Sequence, residues 1–175
     1  MYQINKLKHL EIEEVIALRN TLKNDRSRNA IMVQIALETG ARSQEVLNII
    51  KSDLDLTNKT LFIRGIKGSN DRDMPIGEDL LSKLKDYIKP LSESDRLFTI
   101  NTWSFREVWK NYRPCAKKLH SLRHTFAITL FEKHRDIRLV QVALGHRNIN
   151  NTMVYADYIY RKNELRSKLV NLWQK

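Results

Sequence analysis

Asp53-Leu54-Asp55-Leu56-Thr57-Asn58-Lys59-Thr60-Leu61-Phe62-Ile63 is where the chain changes its hydrophobic period. Asp53 to Leu56 alternates between acidic and apolar side chains, Thr57-Asn58-Lys59 is turn-like, and Thr60 to Ile63 is rich in strand formers, so the stretch predicts a hairpin. A second polar turn, Lys67-Gly68-Ser69-Asn70-Asp71, leads to a short strand around Met74-Pro75-Ile76. About three antiparallel strands are therefore expected, with Lys67 at one of the turns.

Everything outward from this sheet reads as helix. Leu10, Val15, Ile16, Leu18 and Leu22 recur at helical spacing. Ser27 is placed to cap a second helix through Glu38 that has almost no polar side, and Gly40 supplies its stop. Such a helix belongs at the centre of the core. After the Thr39-Gly40-Ala41-Arg42 corner, Ser43 is positioned to cap a short helix over Glu45 to Ile50, which puts Arg42 at the junction of two helices. Beyond the sheet, helices are expected from Asp79 to Ile88, from Ser104 to Tyr112, from Leu122 to Lys133, from Asp136 to Leu144 and from Asn151 onward. The fold class is α+β, a mainly helical single domain with a small three-stranded antiparallel sheet.

The 175 residues suit one domain with one core, and 42% apolar against 29% charged side chains, with five Gly and three Pro, exclude disordered and collagen-like classes. No window has the apolar length of a membrane span, and Met1 to Lys6 has no secretion-signal core behind it, so a cytoplasmic protein is expected. Cys115 is the single cysteine and can form neither an internal disulfide nor a thiolate metal site alone. Charge is uneven: residues 100–175 carry 15 basic and 5 acidic side chains, +10 of the total +11. That concentration points to a polyanion, with nucleic acid ahead of an anionic membrane.

Five places hold unusual polar groups: Arg42 with Glu45, Lys67, the run His120-Ser121-Leu122-Arg123-His124, the Gly145-His146 corner, and Tyr155. Singly, each has an ordinary explanation in a surface arginine, a solvated turn lysine, a packing histidine or a core aromatic. His120 and His124 share a helical face, yet the intervening residues lack the glutamate of a zinc protease motif and Arg123 would put a positive charge beside the ion, so no metal is expected. The segment from Asp136 through the Gly145-His146-Arg147-Asn148 turn has helix-turn-helix proportions and offers a DNA-binding module without a reaction.

Taken jointly and in order, Thr39-Gly40-Ala41-Arg42-Ser43-Gln44-Glu45, Ile66-Lys67-Gly68 with Pro75 downstream, His120-Ser121-Leu122-Arg123-His124-Thr125-Phe126-Ala127, Leu144-Gly145-His146 and Tyr155 nine residues later resemble the catalytic domain of a tyrosine recombinase of the phage integrase family. The resemblance covers about Leu10 to Tyr158 and selects Tyr155 over Tyr158 and Tyr160. It implies a catalytic domain over residues 1–160 and a site of Arg42, Lys67, His120, Arg123, His146 and Tyr155, with Glu45 and His124 in support. Members usually carry a helical DNA-clamping domain in front; a chain beginning here is expected to be an excised piece or a short form like the fimbrial inversion recombinases.

The implied activity is site-specific recombination of double-stranded DNA at a crossover site, without cofactor. Tyr155 attacks phosphorus and leaves a 3′-phosphotyrosyl link with a free 5′-hydroxyl. Arg42 and Arg123 hold the non-bridging oxygens and can replace a metal ion. Lys67 protonates the leaving 5′-oxygen, His120 accepts or relays the phenol proton, and His146 donates to a phosphoryl oxygen. Which histidine does which is open at this level. A DNA-binding regulator of the same fold and a topoisomerase-like relaxing enzyme are the alternatives. Leu165, Leu169, Leu172 and Trp173 recur at helical spacing within residues 161–175, and the resemblance implies that such a terminal helix can be exchanged between protomers of a homo-oligomer, a tetramer on DNA.

Overall fold

A computed structural model describes residues 5, 8–66, 68–160 and 170. Among the described residues, eight helices and three strands follow in the order α1 (Ile12–Lys23), α2 (Arg28–Thr39), α3 (Ser43–Leu47), β1 (Leu54–Asp55), β2 (Thr60–Ile63), β3 (Arg72–Pro75), α4 (Glu78–Tyr87), α5 (Thr102–Tyr112), α6 (Ser121–His134), α7 (Ile137–Leu144) and α8 (Asn150–Ile159). The sheet is antiparallel in the order β1-β2-β3, with Leu54 opposite Leu61 and Leu61 opposite Met74. Those three apolar residues lie in register on the buried face. The α+β expectation holds. The expected exchanged helix falls on residues 161–169 and 171–175, outside the described residues.

Helix α2 is the hub. Its Ala30 to Ala36 are all buried, and it packs on α1, α3, α4, α5 and α6. Ser27 caps it, its hydroxyl accepting from Ala30 N–H at 3.2 Å, and Gly40 ends it in the left-handed region at φ 62°. A Cβ on Gly40 would lie 2.5 Å from Cδ1 of Phe126 on α6. The helix end and α6 can therefore approach closely only with glycine there. Lys83 is also buried, its ammonium donating to Leu22 O and Gln34 Oε1 and pairing with Asp79 at 2.9 Å. This ties α1, α2 and α4 together.

Two local starts differ from expectation. Helix α3 already includes Ser43, and its N-cap is Arg42, whose amide donates to Glu45 Oε2. A carboxylate at the third helical position does what the expected serine cap would have done. Helix α5 begins at Thr102 with the Asn101 side chain accepting from Ser104 N–H, so asparagine outcompetes the later serine as cap.

A second apolar cluster joins the far end of α6 to α7 and α8 through Ala127, Phe131, Val140, Leu144, Tyr155 and Ala156. Gly145, at φ 69°, turns the chain from α7 toward α8 beside the β2–β3 turn. There Asn70 N–H donates to Gly145 O at 2.8 Å, and Ser69 bridges His146 in antiparallel fashion. The strand turn and the helix corner thus meet at one point. Among the described residues no helix is long and apolar enough to cross a membrane.

A Cβ at Gly145 would stand 2.6 Å from Asn70 O as well as forcing an L-residue into left-handed backbone. Gly145→Ala is expected to cost about 2 kcal/mol or more, lowering the melting temperature by roughly 4–8 °C. Thermal denaturation followed by circular dichroism checks this; an unchanged melting point would show that the corner relaxes freely.

Candidate active site

Glu45 lies at the centre of the polar cluster, fully buried in the first turn of α3. Its Oε1 accepts from Arg42 Nη1 at 2.9 Å, and its Oε2 from Arg42 N–H and Arg72 Nη2, both at 2.9 Å. Arg123 Nη1 stands 3.8 Å from the same Oε2. One carboxylate thus gathers guanidiniums from the start of α3, from β3 and from α6. Burial alone would raise its pKa, but Arg72, the Arg42 amide and Arg123 outweigh that and hold the carboxyl below the usual range.

Arg123 closes the gap between two helix ends. Nη1 donates to Gly40 O at 2.8 Å and Nη2 to Leu144 O at 2.9 Å, carbonyls that α2 and α7 leave without intrahelical partners. Nη2 also lies 2.9 Å from His146 Nε2. Burial first, then Arg42, pushes the guanidinium down to about 9, which leaves it charged at neutral pH. Arg42 is about one third exposed and extends past Glu45 to donate to the Ser69 hydroxyl. His146 Nδ1 lies 2.9 Å from Thr152 Oγ1 on α8, and its carbonyl accepts from Gln141 Nε2.

Tyr155, 2% exposed, sits one turn beyond Thr152 on α8, and its hydroxyl lies 3.1 Å from His124 Nδ1. His120, the N-cap of α6, packs edge-on against His124 with ring centroids 4.6 Å apart. His124, expected only in support, is therefore the imidazole at the tyrosine hydroxyl, and His120 is one ring further out. All three histidines are pushed down, His120 to about 4 and His124 and His146 to about 3, by desolvation and then by neighbouring positive groups, Arg123 foremost for His120 and His146. They are neutral at physiological pH.

The structure brings Arg42, Glu45, His120, Arg123, His124, His146 and Tyr155 together, on α3, α6, α8 and the α7–α8 corner. Lys67 lies outside the described residues; its neighbours Ile66 and Gly68 belong to the turn in which Ser69 N–H donates to Ile66 O. Ser69, Arg72 and Thr152 join the cluster without having been expected there. Arg72 had a signal, a charged residue in the inward register of β3 beside Met74. Thr152 had one too, three residues before Tyr155 and so on the same helical face. An open cleft of about 650 Å³ reaches the site, lined by Arg106, Lys110, Arg113, Lys117 and Lys118 next to His120 and Arg123. Among the described residues no group of three or more His, Cys, Asp or Glu could hold a metal ion.

Residues 5–161 match the model of the Phage integrase family. The tyrosine recombinase XerA of Thermococcus kodakarensis is 31% identical over 93% of this chain and 64% of its own length. Among solved structures, XerH site-specific recombinase bound to palindromic difH substrate in a post-cleavage complex has a TM-score of 0.72 at 27% identity, covering 98% of this chain and 55% of that one. The catalytic domain of bacteriophage HP1 integrase has a TM-score of 0.66 at 26% identity, covering 94% of both. The chain spans less than two thirds of the length of the XerA relative.

Replacing Glu45 by Gln keeps the shape and removes the negative charge that faces three guanidiniums. The variant is expected to lose about 3 kcal/mol of stability, since breaking a buried ion pair from one side leaves uncompensated charge. In the native protein the Glu45 contribution is present above the ordinary carboxylate value of 4.5 and is lost as pH falls through the lowered folded value. The neutral histidines act earlier: their contribution is complete above 6.5 and declines as pH falls toward 4 and 3. Urea denaturation from neutral to acid pH should show stability falling from about 6.5 downward, and a flat profile would contradict the neutral, buried state of His124 and His146.

Proposed function

The chain belongs to the phage integrase family, and from that membership we propose that it cleaves and rejoins DNA through a covalent 3′-phosphotyrosyl bond at Tyr155, the chemistry of site-specific recombination. The observation that carries this reading is the convergence on Glu45 of Arg42 and Arg123, beside the Tyr155 hydroxyl on His124, where a basic cleft opens. A phosphodiester following Arg106, Lys110, Arg113, Lys117 and Lys118 reaches guanidiniums that are held in place before it arrives.

In cleavage the Tyr155 oxygen forms a bond to phosphorus as the bond from phosphorus to the 5′-oxygen breaks. Negative charge building on the two non-bridging oxygens is met by the forked donors of Arg42 and Arg123. The phenol proton passes toward the imidazole of His124, whose Nδ1 lies 3.1 Å from the hydroxyl, with His120 next along at the cleft. Lys67 supplies a proton to the departing 5′-oxygen. The ester stores the energy of the broken bond, so a 5′-hydroxyl from another strand can reverse the step without nucleotide. Exchange of strands between two duplexes calls for several protomers, and a homotetramer on double-stranded DNA with a specific crossover site is the assembly we assign to it.

Two experiments test this. The native protein should become covalently attached to a nicked duplex carrying its crossover site, whereas Tyr155→Phe should bind and give no adduct; an adduct in that variant, or one mapping to Tyr158, refutes the assignment. Lys67→Ala should cleave ordinary DNA at least about 100-fold more slowly and recover on a substrate whose bridging 5′-oxygen is sulfur, because a thiolate leaves without a proton. Arg123→Ala should not recover, and equal rescue of both would remove Lys67 from the role of proton donor.

A further inference from the structure

The hydrogen bonds of His146 fix its protonation in a way that conflicts with the role a phosphate demands of it. A guanidinium can only donate, so Nε2, 2.9 Å from Arg123 Nη2, must present its lone pair. An imidazole with lone pairs on both nitrogens would be an anion, so the proton is on Nδ1 and is donated to Thr152 Oγ1 at 2.9 Å. His146 in the free protein is therefore the neutral Nδ1–H form, an acceptor on the side that faces Arg123. A phosphoryl oxygen is also only an acceptor. Once a phosphodiester takes Arg123, an unprotonated Nε2 facing it is repelled.

Two routes give Nε2 the proton it then needs. One is uptake from solvent. The groups facing the ring oppose this: Arg123 from α6, Arg42 from the start of α3 and Arg72 from β3 are all positive, with Glu45 acting in the other direction, and burial adds to the arginines. The other route moves the proton from Nδ1 to Nε2 with no change in charge, and it needs a group at Nδ1 that can accept in one state and donate in the other. Thr152 is such a group. Its hydroxyl is fully buried and hydrogen-bonds no other side chain among the described residues.

We infer that Thr152 and His146 form a charge-neutral tautomer switch: Nδ1–H···Oγ1 in the free protein becomes Oγ1–H···Nδ1 when a phosphate occupies the site, converting His146 from an acceptor toward Arg123 into a donor toward the phosphoryl oxygen. The inference rests on the DNA-cleaving reading above. No proton enters or leaves in sum; the ring gives up the one on Nδ1 and gains one on Nε2 by exchange through water, and the threonine hydroxyl turns about its C–O bond. Thr152 is thus a positioning residue that acts through His146. One turn along the same face of α8, it also links the state of His146 to the helix that carries Tyr155.

Nitrogen NMR of the histidine side chains reads this directly, since protonated and unprotonated ring nitrogens have well separated shifts. The free protein should show His146 with the proton on Nδ1. Titration with diethyl phosphate, a diester that like DNA has no P–OH to donate, continued until the Arg42 and Arg123 side-chain signals stop moving, should move the proton to Nε2 and leave the ring neutral. A ring protonated on both nitrogens at that point, or one still protonated on Nδ1, overturns the switch. Arginine signals that never respond to phosphate would instead count against the anion site, and so against the DNA-cleaving reading itself.

Activity provides the second arm. Thr152→Val keeps the shape of the side chain and removes the hydroxyl, so it should slow adduct formation on a nicked crossover duplex by about tenfold or more, as loss of an orienting hydrogen bond on a functional histidine does. Thr152→Ser should restore the native rate and the native shift of tautomer. Equal losses in the valine and serine variants, or a valine variant that still moves its proton to Nε2 on phosphate, would show that Thr152 only packs.

Discussion

A single buried carboxylate holds this site together. Arg42, Arg72 and Arg123 come from the start of α3, from β3 and from α6, and Glu45 offsets the repulsion between them, which for two unit charges roughly 5 Å apart at an effective dielectric of about 20 is about 3 kcal/mol. With it, the two arginines next to the cleft are held at fixed positions by hydrogen bonds that a folding chain must form anyway. Glu45 also accepts the Arg42 amide, so the same side chain starts the helix that presents it. Three positive charges against one negative leave the cluster short of an anion, and in the proposed reaction that imbalance is what an incoming phosphate satisfies.

The helix ends extend this logic. Arg123 uses its donors on Gly40 O and Leu144 O, the terminal carbonyls of α2 and α7, and on His146. It is thereby a structural strut in the free protein and, in the proposed reaction, a ligand for phosphate. A phosphate approaching Nη2 competes with His146 for that donor, so binding on this side carries a local exchange of partners. The strand turn is drawn into that exchange, because Ser69 touches both Arg42 and the backbone of His146.

Much of the fold is legible in the sequence. The period change at Asp53 to Ile63, the Ser27 cap and the Gly40 stop each act within a few residues, and each appears where the chain signals it. The order of the motifs selects Tyr155 among three tyrosines, and the other two have ring partners elsewhere: Tyr158 packs on the His9 ring and Tyr160 on Phe131. What escapes a reading of the sequence depends on contacts across the fold. The inward register of Arg72 marks it for burial but does not say that it will meet Glu45, 27 residues away, and the helical spacing that groups His120 with His124 does not say which of them faces α8. The start of α3 differs from expectation for a related reason, since a carboxylate at the third helical position can replace a serine cap.

The placement of Tyr155 separates two kinds of stability in one domain. The guanidinium cluster is anchored on α2, α3, β3 and the first turns of α6, all within the larger core around α2. Tyr155 belongs to the smaller apolar cluster of α6, α7 and α8, with its ring buried and its hydroxyl on His124. In the proposed reaction a nucleophile buried in that way has to be uncovered before it can meet a duplex. Because α8 buries only Thr152, Tyr155 and Ala156 among its own residues, an opening limited to this helix costs a fraction of the global unfolding free energy. Such an opening spares Glu45 and the three arginines, whose hydrogen bonds among the described residues run to α2, α7, the strand turn, His146 at the α7–α8 corner and one another, so the proposed phosphate site stays formed while Tyr155 moves. His146 and His124 are the members of the cluster that also touch α8, through Thr152 and Tyr155. The two histidines are accordingly the points at which the position of Tyr155 and the occupancy of the proposed phosphate site can sense one another.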